Sequence, residues 1–284
     1  MKLRTYTDAE HFLRKTQVAL EVQEAANSLM LGICGQLVHH PERFKAAPCL
    51  KTVEDRTGLI LVAVMTPPHN LLVYGHRGDL GAATGILAQD LIADGWRVPG
   101  VMGPSEVAKV VAEAWTKATR RELEFKERQR VYELREVVSP VPERGCLRQA
   151  KETDADRVAQ WWHGFNTEIS GEADRDRARL AAEQRIGAGD IYLWRDPDPV
   201  SMAMKNRPTR NGISVSAVYT PPELRGRGYA TACVGELSRM LLASGWRYCA
   251  LFADLNNLSA NRVYRKVGYR RACDYDEYTF REEE

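Results

Sequence analysis

The sequence predicts an α/β (α+β) protein built from two tandem copies of one unit. Three observations carry that prediction. Strand-like and helix-like patterns alternate along all 284 residues. The clearest strand, residues 213–218, passes through a glycine-rich turn straight into a helical pattern. And short segments recur in one fixed order at offsets of 144 to 150 residues.

In chain order, Thr7, Asp8, Ala9 and Glu10 read as a capping box. Thr7 accepts from the N3 amide while Glu10 reaches back. A helix should follow to about residue 27, then a short one to about 40. The β-branched run 59–65 is a buried strand, broken by Pro67 and Pro68. Residues 71–74 form the next strand. Leu80, Ala83, Leu87 and Leu91 mark one face of a helix that Gly95 stops. A short strand at 98–102, a helix at 106–118 and an extended segment at 131–138 complete this half. Pro140, Val141, Pro142 and Gly145 form the best linker, placing the boundary near 143.

The script then restarts. Leu147-Arg148 echoes Leu3-Arg4, and Thr153-Asp154-Ala155 echoes Thr7-Asp8-Ala9. Val218-Tyr219 echoes Val73-Tyr74, and Arg227-Gly228 echoes Arg77-Gly78. The longest echo sets Gly245-Trp246-Arg247 against Gly95-Trp96-Arg97. The copies differ at the turn. Between the matched pairs the second half has Thr220 to Gly226, the first only Gly75 and His76. Asp79 follows Gly78, so an acid stands where an anion would sit.

The turn itself reads Arg225-Gly226-Arg227-Gly228-Tyr229-Ala230, ahead of a helix carrying Ala230, Cys233, Val234, Leu237 and Leu241. Glycine lets the backbone bend and approach a ligand closely. Free amides of the first helical turn suit phosphate, and Arg225 and Arg227 add positive charge. The turn lacks the Lys and Ser/Thr of a P-loop. It also lacks dinucleotide-fold spacing, because Thr231 stands where a third glycine belongs. Further on, a buried strand at 248–253 ends in Asp254-Leu255-Asn256-Asn257. Ala260, Val263, Tyr264 and Val267 then trace a helix face, and Gly268 stops it.

These two segments together resemble the GCN5-related N-acetyltransferases (GNAT). That family shows Gln/Arg-x-x-Gly-x-Gly/Ala at its acetyl-CoA pyrophosphate loop, matched by Arg225 to Ala230. It shows Asn-x-x-Ala/Ser-x-x-Leu/Val-Tyr-x-x-x-Gly-Phe/Tyr further on, matched by residues 257–269. The resemblance is specific over about 147–280 and only architectural before that. It implies two tandem acyl-CoA N-acyltransferase folds, each a mixed, mostly antiparallel sheet with a splayed parallel strand pair flanked by helices. Residues 1–143 would be a degenerate copy without a cofactor loop, and 144–284 the catalytic copy binding acetyl-CoA.

By the same resemblance, strands 213–218 and 248–253 splay and hold the pantetheine arm against the backbone of Val218 and Thr220. The pyrophosphate meets the amides from Arg227 through Gly228, Tyr229 and Ala230 to Thr231, and Asn257 contacts the arm. The Val218 amide stabilises the oxyanion, and Tyr264 is the general acid. By pattern alone Tyr264 reads first as a core aromatic, a reading the resemblance reverses, while Asn257 could be a turn residue and Arg225 and Arg227 a solvated pair. The base stays open. Strand 213–218 carries no carboxylate, leaving Glu168, Glu172, Glu223 or water. Trp161, Trp162 and Phe165 line either the core or an acceptor pocket. The acidic terminal strand around Asp274 and Asp276 either flanks the acceptor channel or forms an exposed edge.

The resemblance implies an N-acetyltransferase acting on a primary amine of a small molecule or peptide. A non-catalytic acyl-CoA-binding protein is the alternative. A net charge of +2 argues against an aminoacyl-tRNA donor or any nucleic-acid partner. No apolar run suggests a membrane span or leader, the scattered cysteines suggest a reducing, cytoplasmic setting, and the histidines show no metal spacing. A monomer or homodimer is expected.

Overall fold

The computed structural model of the protein describes residues 1–140, 143–171 and 173–281. Val141 and Pro142 of the expected linker, and the candidate base Glu172, lie outside the described residues. In chain order the elements are β1 (Lys2–Tyr6), α1 (Ala9–Glu21), α2 (Ser28–His39), β2 (Cys49–Asp55), β3 (Gly58–Met65), β4 (Leu71–Gly75), α3 (Leu80–Ala93), β5 (Gly100–Pro104), α4 (Ser105–Thr119) and β6 (Glu122–Leu134). Next come β7 (Cys146–Gln149), α5 (Ala155–Ser170), α6 (Arg175–Gly187), β8 (Ile191–Arg195), β9 (Pro199–Asn206), β10 (Gly212–Tyr219), α7 (Tyr229–Ala243), β11 (Tyr248–Asp254), α8 (Leu258–Val267) and β12 (Arg270–Arg281).

Most sequence-derived elements fall within a few residues of these bounds. The cap of α1 differs. Asp8, not Thr7, is the N-cap, its carboxylate accepting from the Glu10 amide at 2.9 Å. Strands β1 and β2 went unread. Lys51 interrupts the apolar pattern of β2 yet is fully buried, its ammonium held by Asp90 (2.5 Å), Asp94 (2.6 Å) and the Thr5 hydroxyl (2.9 Å). A buried charge is tolerable only when its donors are paired in this way.

The chain forms two compact units, and their border is not at 143. One unit comprises residues 1–131 with 271–284, the other 132–270. In the first, β1 to β5 follow one another across the sheet, and β12 and β6 follow β5. β12 pairs antiparallel with β5, Tyr278 opposite Val101. The acidic residues of β12 therefore sit inside the first unit's own ion pairs instead of at an open channel or edge. Asp276 is 1% exposed and is gripped by the Arg128 guanidinium at 2.6 and 2.8 Å and by Ser105 at 2.8 Å. Burial pushes its carboxyl pKa up, but these donors prevail and hold it below the usual range.

In the second unit the order is β7, β8, β9, β10, β11 and the end of β6. All neighbours from β7 to β10 are antiparallel, while β10 and β11 are parallel. One core lies under α7 and α8, around Val234, Leu237, Val215 and Leu251. The other lies under α5 and α6, around Val158, Trp161, Met202 and Ile186. Trp161 of the aromatic cluster is thus a core residue. Gly164 leaves the space that the Tyr219 ring occupies, since a Cβ there would stand 2.5 Å from the Tyr219 hydroxyl.

Cys34, Cys49, Cys233 and Cys249 are buried, and burial pushes each thiol up to about 12. Cys146 is exposed. A thiol titration of the native protein near neutral pH should therefore show one fast-reacting group, lost in Cys146→Ser, and six groups after denaturation. Fast reaction of three or more native thiols would contradict this packing.

Candidate functional site

Strands β10 and β11 pair only at their beginnings. The register runs from Gly212–Tyr248 through Ser214–Ala250 and stops, although both strands continue. Beyond that point the expected cleft opens between them. On the other edge of β10 the pairing with β9 slips. Ser216 faces Met204 but Tyr219 faces Met202, so Ala217 and Val218 share the single partner Ala203. This is a bulge, with Ala217 at a φ of +47°. The slip re-aims the backbone around Val218, which is half-buried, at the mouth of the cleft.

Below the bulge the chain is tied down. The Ser201 hydroxyl donates to the Tyr219 carbonyl (3.1 Å) and bonds the Thr220 hydroxyl (2.9 Å). Arg225 reaches back to donate to the Thr220 carbonyl at 2.8 Å, pairs with Glu168 at 2.5 Å, and lies 5.6 Å over the Tyr219 ring. The Thr220 carbonyl thus accepts from Arg225, and the Arg225 guanidinium braces its own loop.

Gly226 and Gly228 stand at φ +78° and +86°, where other residues are strained, and a Cβ on either would meet open space. Gly228 is the N-cap of α7, and no side chain caps this helix among the described residues. The Ala232 amide already bonds the Gly228 carbonyl. The amides of Tyr229, Ala230 and Thr231 precede it, with no protein acceptor among the described residues, and Arg227 lies exposed beside them. An uncapped helix start of this kind attracts an anion.

The first unit lacks this arrangement. The Asp79 carboxylate caps α3, accepting from the Ala82 amide at 3.0 Å, so the protein's own acid occupies this helix start. The turn after β4 is packed with apolar groups, and a Cβ on Gly75 would meet Leu80 at 2.7 Å and Val107 at 3.0 Å.

At the end of β11, Asn257 caps α8. Its carbonyl oxygen accepts from the Ala260 amide (3.0 Å) and the Ser259 hydroxyl (2.9 Å). That oxygen is committed to the helix. Asn261, which the sequence reading passed over, is the fastener of this corner. It is buried, donates to the carbonyls of Asp254 (2.7 Å) and Asn257 (2.8 Å), and accepts from the Tyr132 hydroxyl (2.8 Å). Its place one turn before Tyr264, on the face that Val267 shares, was the available signal.

Tyr264 sits on the same face of α8, packed between the rings of Tyr132 and Tyr269, each 6.1 Å away. Burial, with a smaller contribution from Tyr132, pushes its phenol up to about 12. Its hydroxyl keeps its proton throughout the neutral range. Of the expected base candidates, Glu168 is held by Arg225 and Glu223 is exposed beside the loop. Among the described residues no cluster of His, Cys, Asp or Glu could hold a metal ion, and no helix is long and apolar enough to cross a membrane.

In the second unit a mixed sheet with a parting parallel pair thus lies beside an uncapped, glycine-bounded helix start. Residues 197–279 match the FR47-like protein family. The whole chain is similar in structure to a GNAT-family acetyltransferase from Colwellia psychrerythraea, with a TM-score of 0.63, 12% identity and complete coverage of both chains. It is also similar to a GCN5-related N-acetyltransferase from Sphaerobacter thermophilus (0.63, 16%, covering 98% of this chain and 94% of that one). A tandem GNAT protein from the clavulanic acid biosynthesis pathway gives 0.56 and 13%, covering 98% of each. No curated protein matches the chain. The chain has the GNAT fold.

Replacing Asn261 by Leu should cost about 2–3 kcal/mol in urea unfolding, because two carbonyls and the Tyr132 hydroxyl lose their partner. Exposed Ser259→Ala should stay within about 0.5 kcal/mol. Equal effects would deny Asn261 its fastening role.

Proposed function

We propose that the second unit transfers an acetyl group from acetyl-CoA to a primary amine of a small molecule or peptide. The reading rests above all on the uncapped start of α7, held open by two left-handed glycines beside the parted strands. The amides from Arg227 to Thr231 would hold the pyrophosphate, and the cleft between β10 and β11 the pantetheine arm. The first unit, with its self-capped α3, binds no cofactor in this reading.

The amine nitrogen attacks the acyl carbon, forming the C–N bond. The Val218 amide, turned by the bulge, donates to the oxyanion. The C–S bond then breaks, and Tyr264 gives its proton to the departing sulfur. The amine loses its own proton to water, since the Glu168 carboxylate is engaged with Arg225.

In calorimetry one acetyl-CoA should bind per chain. Gly228→Asp should cut affinity at least about tenfold at a stability cost of about 1 kcal/mol, since the new carboxylate would repeat Asp79. Unchanged affinity would remove the loop from the site. Tyr264→Phe should lower kcat by about 10²-fold with acetyl-CoA affinity nearly constant. With the acid form stable up to about 12, wild-type kcat should show no alkaline fall from this group below about pH 11. Binding without acetyl transfer to any amine would favour the non-catalytic acyl-CoA-binding alternative.

A further inference from the structure

Strand β10 is covered on both sides, and such a strand should be apolar on both. One face obeys, with Ile213 and Val215 in the core under α7. The other does not. Ser214 pairs across to Asn206 and Ser216 to Met204, which sets Asn206, Ser214 and Ser216 on the face that Met202 and Met204 share with α5 and α6. Ser214 is 0% exposed. The Oγ atoms of Ser214 and Ser216 and Oδ1 of Asn206 are buried and have no hydrogen-bond partner among the described residues. Three such atoms in one row are costly to fold unless something else bonds them.

Their position says what that is. The row begins at Ser214, where β10 leaves β11, and ends at Ser216, one residue short of the bulge. On β11 the neighbour of Ser214 is small Ala250. Two residues on, the Phe252 ring lies 5.6 Å beneath the Arg207 guanidinium, and Arg207 holds a left-handed φ of +44°. The row thus runs along the stretch of β10 between its last pair with β11 and the bulge before Tyr219.

We propose that Asn206, Ser214 and Ser216 form the floor of the acceptor site, and that the acceptor is a small amine bearing neutral hydrogen-bonding groups, hydroxyl or amide. This rests on the transferase reading above. The row offers two hydroxyls, which donate and accept, and one amide oxygen, which accepts. It contains no carboxylate, so a second cationic centre would find no counter-charge there. An alkyl chain would leave all three atoms unpaired. A substrate lacking the required hydroxyl is rejected strongly by a site of this kind.

The test uses the full chain with acetyl-CoA and three amines of similar size: 2-amino-1,3-propanediol, isopropylamine and 1,3-diaminopropane. The diol should exceed both others in kcat/KM by at least about 10²-fold. Ser214→Ala and Ser216→Ala should each raise KM for the diol about tenfold, leave kcat and acetyl-CoA affinity within about twofold, and leave Tm unchanged or higher. Equal use of the three amines would overturn the inference while leaving the transferase reading intact. A lowered Tm with unchanged amine preference would assign the hydroxyls to buried water and overturn it too. Acetyl-CoA binding with no turnover of any amine would overturn the transferase reading and this inference together.

Discussion

The separation of two neighbouring parallel strands is the constraint on which the second unit depends. Once β10 and β11 stop bonding after Ser214 and Ala250, their facing backbone groups need other partners. On its far side β10 is anchored by β9 and by Ser201, so it cannot drift back. The bulge at Ala217 and Val218 absorbs the extra residue that this divergence leaves. The cleft is thus the product of strong bonding on one edge and withheld bonding on the other.

The two units show what such a cleft needs in addition. Each has a parallel pair with a short register, Leu71–Val101 and Leu72–Met102 in the first. Yet only the second follows its strand with a helix whose leading amides are left open. In the first, the Asp79 carboxylate takes one of those amides, that of Ala82, while Leu80 and Val107 fill the turn. One carboxylate and a shorter turn thus distinguish the start of α3 from the uncapped start of α7. The energies are small per bond, but a helix start offers several amides at once.

How much was legible follows from range. Gly226 and Gly228 could be read because a left-handed backbone demands a particular residue at a particular place, and no distant partner is needed to see it. The strand at 248–253 declared itself as a continuous apolar run and the helix carrying Tyr264 by its period. Asn261 and Ser201 did not, because their importance lies in carbonyls and hydroxyls that only the folded chain brings near. The placement of β12 was hidden for the same reason. Its alternating pattern announces a strand, whereas its bonding to β5 and the grip of Arg128 on Asp276 are choices among partners 148 residues or more away. Lys51 is the sharpest case, a charge in a strand whose two acids, Asp90 and Asp94, lie on a helix well downstream.

Arg225 shows how the site's chemistry follows from its mechanics. A loop bounded by two left-handed glycines is inherently loose, and something must hold it at the cleft. Arg225 does so by spanning the Thr220 carbonyl, the Tyr219 ring and Glu168. In the transferase reading proposed above, its pairing with Glu168 would also take that carboxylate out of service as a base. In that reading, bracing the loop and leaving deprotonation to water would be one arrangement, in which the protein's part would be to present an oriented amide, a proton-bearing phenol and a cleft. Such a site gains more from positioning than from acid–base pairing. That fits a β10 whose buried polar atoms are hydroxyls, where a carboxylate would have had to be desolvated and paired.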